Sequence, residues 1–321
     1  MIELVGVTKR YGEKVAVDNL TFKVRPGCVT GFLGPNGAGK STTMRMMLGL
    51  DRPTSGHALI DGKPYARLRK PLRHVGALLD AKAMHGGRTA YENLRCLALT
   101  NNIPVSRVEE VLHDVGLGKV SKKRPKGFSL GMGQRLGIAA ALLGDPKIVL
   151  LDEPVNGLDP EGIHWVRTLM KRLAEQGRTV FVSSHLMSEM ALTADHLIVI
   201  GRGKLLADTS MQNFIDSSSQ SVVRIRTPEP ERLRDALAAS GITPAEDGVG
   251  TFEVTDVPVE WLGELALHHG ILLHELSPQH ASLEEAFMAL TSDAAEYRTE
   301  PAARAASNGG RPASHAGGRG R

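Results

Sequence analysis

Residues 34–41 have the sequence Gly34-Pro35-Asn36-Gly37-Ala38-Gly39-Lys40-Ser41. They fill every fixed position of the phosphate-binding pattern G-x-x-x-x-G-K-[ST]. The glycines permit a tight turn that brings backbone N–H groups toward a phosphate chain. The apolar run at 29–33 predicts a buried strand before the loop, and residues 40–48 predict a helix after it. Because the positive end of that helix dipole faces the same phosphates, the stretch predicts a nucleotide site in an α/β fold.

The loop also carries two side chains with specific chemistry. Lys40 places a positive charge at the β- and γ-phosphates, and Ser41 offers a hydroxyl to Mg²⁺. We therefore expect a nucleotide and Mg²⁺ as ligands. The nucleotide-binding residues predicted here are Gly34, Pro35, Asn36, Gly37, Ala38, Gly39, Lys40, Ser41 and Thr42.

A second apolar strand is predicted at 148–151 and ends in two carboxylates, Asp152 and Glu153. Strands of open α/β sheets deliver their terminal residues to the edge where ligands bind. Asp152 is placed to hold Mg²⁺, directly or through water. Glu153 is the candidate general base that polarises the attacking water. Side chains alternate along a strand, so the two acids can have separate roles.

The charge distribution argues against a nucleic-acid-binding protein, and the hydropathy argues against a membrane-spanning or secreted one. Formal net charge is +4, from 39 basic and 35 acidic residues. The last 21 residues hold four arginines and no acid, which leaves residues 1–300 neutral. The basic isoelectric point therefore belongs to the tail, and we expect no nucleic-acid partner. Because no apolar run approaches the roughly 18–20 residues of a membrane helix, and no signal-peptide core is present, we expect an intracellular protein.

The pattern along the chain predicts two folded units. Alternating strands and helices over 1–214 predict a mixed sheet with crossovers, and residues 88–145 form a helical insertion within it. Residues 215–221 are a predicted linker. Residues 222–291 predict a small α/β domain with strands at 222–226, 251–254 and 271–276. The Ala/Gly/Arg-rich residues 292–321 contain few large apolar side chains and are predicted to be disordered.

The order of these motifs resembles the ATP-binding subunit of an ABC transporter over roughly residues 2–214. The run 156–160 (Asn-Gly-Leu-Asp-Pro) is similar to the family's D-loop, which includes Asp159. His185, after a predicted strand at 179–183, is similar to the H-loop histidine that contacts the γ-phosphate in the family. Tyr11 stands where the family places an aromatic side chain that stacks on adenine.

Two further motifs resemble the family less closely. Residues 128–135 (Phe-Ser-Leu-Gly-Met-Gly-Gln-Arg) align with the signature L-S-G-G-Q-x-Q-R, so Ser129 and Gly131 are matched while Leu130 and Met132 depart. In the family this loop opens a helix that faces the γ-phosphate of the other subunit. Asp80 stands where the family has the Q-loop glutamine. Asp80 could favour Mg²⁺, although an ionised carboxylate cannot donate a hydrogen bond to phosphate.

The resemblance implies an α/β P-loop NTPase of the ABC cassette type, with a small C-terminal α/β domain. Its catalytic residues would be Lys40, Glu153 and His185, and its Mg²⁺ ligands Ser41, Asp152 and Asp80. It implies a homodimer with composite ATP sites and a separate integral-membrane permease that docks near residues 80–94. The chain would then be cytoplasmic, peripheral at the inner face of the cell membrane. The most similar subunits power bacterial exporters of drugs, antibiotics or lipid-like substrates.

Two alternatives belong to other classes. A soluble ABC ATPase that acts on ribosomes or DNA typically carries two cassettes or long coiled-coil insertions, and this chain has neither. A metabolic P-loop kinase would not need the run at 156–160, His185 or the Ser129 loop. The sequence alone does not identify the transported substrate.

Overall fold

The computed structural model describes residues 1–218, 222–279, 287–288 and 290. Its strands in this part of the chain are β1 (Ile2–Tyr11), β2 (Lys14–Val24), β3 (Val29–Leu33), β4 (Ser55–Ile60), β5 (Val75–Leu78), β6 (Ile148–Asp152), β7 (Thr179–Ser184), β8 (His196–Gly201), β9 (Lys204–Ser210), β10 (Val222–Arg226), β11 (Ala245–Glu246), β12 (Thr251–Thr255) and β13 (Glu275–Gln279). The α-helices are α1 (Lys40–Met47), α2 (Ala90–Thr100), α3 (Ser106–Asp114), α4 (Leu130–Leu142), α5 (Pro160–Glu175), α6 (Met187–Ala191), α7 (Met211–Ser218), α8 (Pro230–Ala239) and α9 (Val259–His268).

A six-stranded sheet with the order β5-β6-β7-β3-β8-β9 organises the first part of the chain. Its first five strands are parallel, and β9 runs antiparallel to β8. A second, antiparallel sheet has the order β2-β1-β4. Because β3, β6 and β7 are parallel, the segments that follow them emerge at one edge, where the sequence predicts the site. The α/β class with a mixed sheet is confirmed.

The central strands are apolar on both faces because each face covers a separate core. In β3, Phe32 belongs to the core shared with the antiparallel sheet, while Val29 and Leu33 belong to the core under the helices. The ring centroid of Phe32 lies 5.0 Å from that of Phe181 in β7 and 5.8 Å from that of Phe22 in β2. This two-sided burial explains the unbroken apolar run before the phosphate loop, and it fixes the edge from which the loop starts.

The helical insertion contains α2, α3 and α4, as predicted. Thr89 caps α2 through a capping box: its hydroxyl accepts from the Glu92 N–H, and the Glu92 carboxylate accepts from the Thr89 N–H. Helical spacing in the sequence predicts a third helix that begins at Gln134, but α4 begins four residues earlier. The reason is that the Ser129 side chain caps its first turn.

The C-terminal strands and helices alternate as β10-α8-β11-β12-α9-β13 in a sheet of order β11-β12-β10-β13. This is the split βαβ arrangement of ferredoxin-like domains. Val223 and Ile225 of β10 and Phe252 and Val254 of β12 form its core with α8 and α9. The strand predicted at 271–276 is β13 and starts four residues later.

The predicted linker before the C-terminal domain needs correction, and the predictions for the segments after it fall mostly on residues that the structure does not describe. The predicted linker at 215–221 begins inside α7, because Phe214 and Ile215 pack on the core of the first sheet and extend the helix to Ser218. Phe287 is buried in that same core and not in the C-terminal one. The pattern at 283–290 also predicts a helix, but most of it, like the tail at 292–321, lies outside the described residues.

Candidate nucleotide-binding and catalytic site

The phosphate loop connects β3 directly to α1. Gly39, the residue before α1, has φ 103°, in the left-handed region that favours glycine. A Cβ at Gly39 would lie 2.5 Å from the carbonyl oxygen of Ala16, and one at Gly34 would lie 2.6 Å from that of Ile200. The loop therefore passes so close to neighbouring backbone that only glycine fits at these two positions.

Lys40 is the buried cation of the site, with 7% of its surface exposed. Its Nζ donates to the carbonyl oxygens of Gly34, at 2.5 Å, and Pro35, at 3.3 Å. Burial lowers the pKa of Lys40, and the Glu153 and Asp152 carboxylates oppose that shift. The structure thus places Lys40 in the electrostatic field of both predicted acids.

The two acids are held at the ends of adjacent strands. Asp152 of β6 lies opposite Ser183 of β7. The Ser183 hydroxyl donates to Oδ1 of Asp152 and accepts from the Glu153 N–H, at 3.0 Å. Ser183 is fully buried, so this hydroxyl is a fixed bridge between the two acids. Glu153 has φ 48°, a left-handed conformation that is rare for a residue with a side chain.

His185 lies next to the predicted base. Its Nδ1 is 2.8 Å from Oε2 of Glu153. A carboxylate only accepts hydrogen bonds when ionised, so the imidazole donates through a protonated Nδ1. The structure therefore brings Lys40, Asp152, Glu153 and His185 together at one edge of the sheet, which is the arrangement expected from the sequence.

Tyr11 stands at the end of β1, half-exposed, beside α1. Its hydroxyl donates to Oδ2 of Asp51 at 3.1 Å and also hydrogen-bonds the Thr42 side chain. The Lys9 ammonium lies 4.9 Å from the ring centroid. Desolvation and the hydrogen bond to Asp51 raise the pKa of Tyr11. These contacts fix the ring next to the phosphate-loop helix, where a base could stack on it.

A small cleft adjoins the phosphate loop. Its volume is about 260 Å³, and residues 14–16 of β2, residues 35–38 of the loop and Arg202 line it. The cleft connects the loop to the strand that follows Tyr11.

The signature and D-loop residues lie elsewhere. Ser129 is exposed, and its Oγ accepts from the Met132 N–H at 3.2 Å. Gly131 packs against Leu158, and Asp159 caps α5 by accepting from the Gly162 N–H at 2.9 Å. Among the described residues, no hydrogen bond joins Ser129, Gly131 or Asp159 to the phosphate loop of the same chain.

The predicted metal ligands do not form a preassembled cage. The described residues contain no group of three or more His, Cys, Asp or Glu that could hold a metal ion. Asp80 is exposed, and its Oδ1 accepts from the Lys82 N–H at 2.8 Å. Mg²⁺ in nucleotide sites is bound by one or two protein groups and the phosphates themselves. One hydroxyl and one carboxylate, Ser41 and Asp152, fit such a site, whereas a role for Asp80 stays a prediction.

Sequence reasoning missed Ser183 and gave Gln134 no role. Ser183 is the last residue of the strand predicted at 179–183. Only the pairing of β6 with β7 places it opposite Asp152. Gln134 donates through Nε2 to the Glu153 carbonyl oxygen, at 3.3 Å. Its position in the signature motif indicates a functional residue. The contact with Glu153 is not predictable from local sequence, because the two residues are 19 positions apart.

Comparisons with known proteins agree with this geometry. The sequence matches the ABC transporter family over residues 17–156 and a domain of unknown function (DUF8746) over residues 221–284. It is 36% identical over 301 residues to the uncharacterized ABC transporter ATP-binding protein YhcH of Bacillus subtilis (strain 168), which covers 92% of this chain and 97% of that protein. It is 46% identical over 211 residues to the bacitracin transport ATP-binding protein BcrA of Bacillus licheniformis, covering 65% of this chain and 69% of that protein.

A solved structure is similar over the same region. It is a dimeric ATP-binding cassette in a post-hydrolysis state bound to ADP and Pi, 26% identical, with a TM-score of 0.61. The match covers 66% of this chain and 99% of that one. The resemblance therefore extends across nearly the whole of a solved cassette.

Proposed function

We propose a transport function from one premise: this chain belongs to the family of ABC transporter ATP-binding proteins. It is an ATPase and the ATP-binding subunit of an ABC transporter. The observation that carries the catalytic assignment is the convergence of Lys40 with the Asp152, Glu153 and His185 side chains. A cation can stabilise the charge of the γ-phosphoryl group, and a carboxylate oriented by an imidazole can position and deprotonate the attacking water.

In the proposed reaction, the loop amides and Lys40 hold the β- and γ-phosphates. The Glu153 carboxylate takes a proton from water as the water oxygen attacks the γ-phosphorus. The bond to the β,γ-bridging oxygen breaks, and ADP and phosphate leave. His185 holds the Glu153 carboxylate through Nδ1 and orients it toward the water. Catalysis is then mostly positioning and electrostatic stabilisation.

Mg²⁺ is the proposed cofactor, with Ser41 and Asp152 as its protein ligands. When bound, it supplies positive charge that neutralises the phosphate oxygens. The Ser183 hydroxyl orients Asp152 for this role by donating to Oδ1. For Asp80 we keep the hypothesis of a secondary metal role. Unchanged Mg²⁺ dependence and hydrolysis in Asp80→Ala would contradict it.

We infer a homodimer in which two ATP molecules lie between head-to-tail subunits. Ser129, Gly131 and Asp159 would then act on the nucleotide held by the other subunit. The exposure of Ser129 at the start of α4, where the helix dipole is positive, supports this arrangement. The similarity to a dimeric cassette bound to ADP and Pi also supports it.

The transported substrate is proposed from the relatives, one of which is named for bacitracin transport. We propose export of a drug, antibiotic or lipid-like molecule through a separate permease. Among the described residues, no helix is long and apolar enough to cross a membrane. A groove of about 570 Å³ between α2 and α3 is lined by Thr89, Tyr91 and Glu92 of the predicted docking region and by residues outside it, among them Leu112. The protein would act at the inner face of the cell membrane.

The decisive test of the catalytic assignment is Glu153→Gln. This variant keeps the shape of the side chain but cannot accept the proton from water. We expect turnover to be abolished while ATP binding persists, so that an ATP-bound dimer accumulates. Phosphate release and size-exclusion chromatography with ATP measure the two effects. Normal phosphate release would overturn the general-base assignment.

The transport proposal needs a partner experiment. Affinity purification of the tagged chain from membranes should recover a polytopic permease, and ATP-dependent efflux should require both proteins. Glu153→Gln should still bind the permease but support no efflux. Recovery of ribosomes instead, with no effect of deletion on efflux, would favour the soluble alternative.

A further inference from the structure

Gln134 is a buried polar residue that the proposed mechanism does not use. It lies in the second turn of α4, and 6% of its surface is exposed. Its Nε2 donates to the carbonyl oxygen of Glu153, at 3.3 Å. The helix that starts at Ser129 is therefore tied to the backbone of the predicted base.

The backbone of Glu153 is unusual and is held from both sides. Its φ of 48° is a conformation that persists in a residue with a side chain only where the surroundings impose it. On the N–H side, Ser183 accepts through both its hydroxyl and its carbonyl oxygen, at 3.0 and 3.3 Å. On the C=O side, the carbonyl oxygen accepts from Nε2 of Gln134, at 3.3 Å, and from the Asn156 N–H, at 3.2 Å, and Gln134 supplies the contact from α4. A shift of either peptide group would redirect the Glu153 carboxylate.

The other end of the Gln134 amide is unsatisfied. Its Oε1 is buried and accepts no hydrogen bond within the part of the chain that the structure describes. A buried acceptor without a donor destabilises the folded state. An apolar side chain of the same length would fill the space without that cost. The amide at this position is thus poorly explained by stability alone.

We propose that Gln134 is a positioning residue that holds the left-handed backbone of Glu153 and so aims its carboxylate. This rests on the proposed role of Glu153 as the base. It has one consequence for the dimer. Ser129 and Gln134 belong to the same helix, so α4 links the nucleotide of the partner subunit to the base of its own subunit.

The test is Gln134→Met, which keeps the length of the side chain and removes both amide groups. We expect kcat to fall about tenfold, because a small displacement of a catalytic group has effects of this order or larger. The KM for ATP should change less than twofold, and Tm should stay the same or rise. Steady-state phosphate release and thermal unfolding measure these quantities, and Gln134→Leu is the second variant if the first does not fold.

Leu136→Met is the matched control. It alters a fully buried side chain of the same helix that is not tied to Glu153. It should change Tm slightly and leave turnover unchanged. Turnover of Gln134→Met within twofold of the original overturns the inference. An equal loss of turnover in Leu136→Met also overturns it, because packing of α4 would then explain both.

The outcomes separate this inference from the proposed function. An inactive Glu153→Gln beside a fully active Gln134→Met overturns the positioning role alone. Normal turnover in Glu153→Gln removes the base and the inference together.

Discussion

The phosphate-loop half and the signature half of the proposed ATP site are built differently. Lys40 is buried, and Cβ atoms at Gly34 and Gly39 would touch the backbone of Ile200 and Ala16. Ser129 is exposed, and 49% of the surface of Leu130 is exposed. Backbone contacts and burial therefore hold Lys40 in the first half, whereas the first residues of the second half are exposed at the start of α4.

The largest expected effect lies in the phosphate-loop half. Lys40→Ala removes the buried cation that lies in the field of both carboxylates. We expect ATP hydrolysis to fall by about a hundredfold or more, as for other groups that stabilise transition-state charge. Phosphate release measures the loss, with the exposed Lys171→Ala as the control. Hydrolysis at more than a tenth of the original rate would refute this account of the loop.

The signature half should respond only when two chains meet. Ser129→Ala should leave ATP binding by the single chain unchanged and lower turnover about tenfold or more. It also removes a helix cap, which costs about 1 kcal/mol. Thr89→Ala loses a comparable cap on α2 and controls for that cost. If both variants lose turnover equally, the effect of Ser129 is one of stability, and the contrast between the halves fails.

Tyr11 belongs to the phosphate-loop half but acts through its ring. Base stacking on an aromatic side chain is worth about 1–3 kcal/mol. Tyr11→Ala should therefore weaken ATP binding about tenfold, as measured by fluorescent-nucleotide titration. Tyr11→Phe keeps the ring, loses only the hydrogen bonds of the hydroxyl to Asp51 and Thr42, and should bind within about twofold of the original. Equal weakening in both variants would assign the effect to the hydroxyl.

The smallest expected effect is on stability and concerns the contact between Gly157 and Leu130 in the signature half. Gly157 has φ 71°, and a Cβ there would lie 2.1 Å from Cδ2 of Leu130. Gly157→Ala should destabilise the chain through backbone strain of about 1–2 kcal/mol and through this clash. In a Leu130→Ala background the clash disappears, so the cost of Gly157→Ala should fall by about 1 kcal/mol. Urea unfolding measures all four proteins, and strictly additive effects would show that Leu130 does not cover Gly157.

Local patterns predicted most of the framework. The apolar run at 29–33 is β3 to the residue, and the run at 148–151 differs from β6 by one residue. Both strands are buried on two faces, so their composition is distinctive without any knowledge of neighbours. The phosphate loop was recognisable for a similar reason: its function depends on a contiguous backbone turn.

Predictions that depended on distant contacts were less complete. The start of α4 was placed four residues late because Leu130-Gly-Met-Gly is a weak helix sequence, and the Ser129 cap decides it. The helical start of the predicted linker follows from Phe214 and Ile215 packing on a remote core. Ser183 and Gln134 act on Glu153 from 30 and 19 residues away. No local sequence pattern predicts hydrogen bonds between residues so far apart in the chain.

The sequence by itself determined the family, the α/β class, the phosphate loop and the identity of the acids, because each is a short run of residues with a fixed order. The tertiary structure decided how the acids are held: Ser183 bridges Asp152 and Glu153, and Gln134 ties Glu153 to α4. The physical reason is that strand pairing and helix packing set these hydrogen bonds. Each of them joins segments that meet only when the chain has folded.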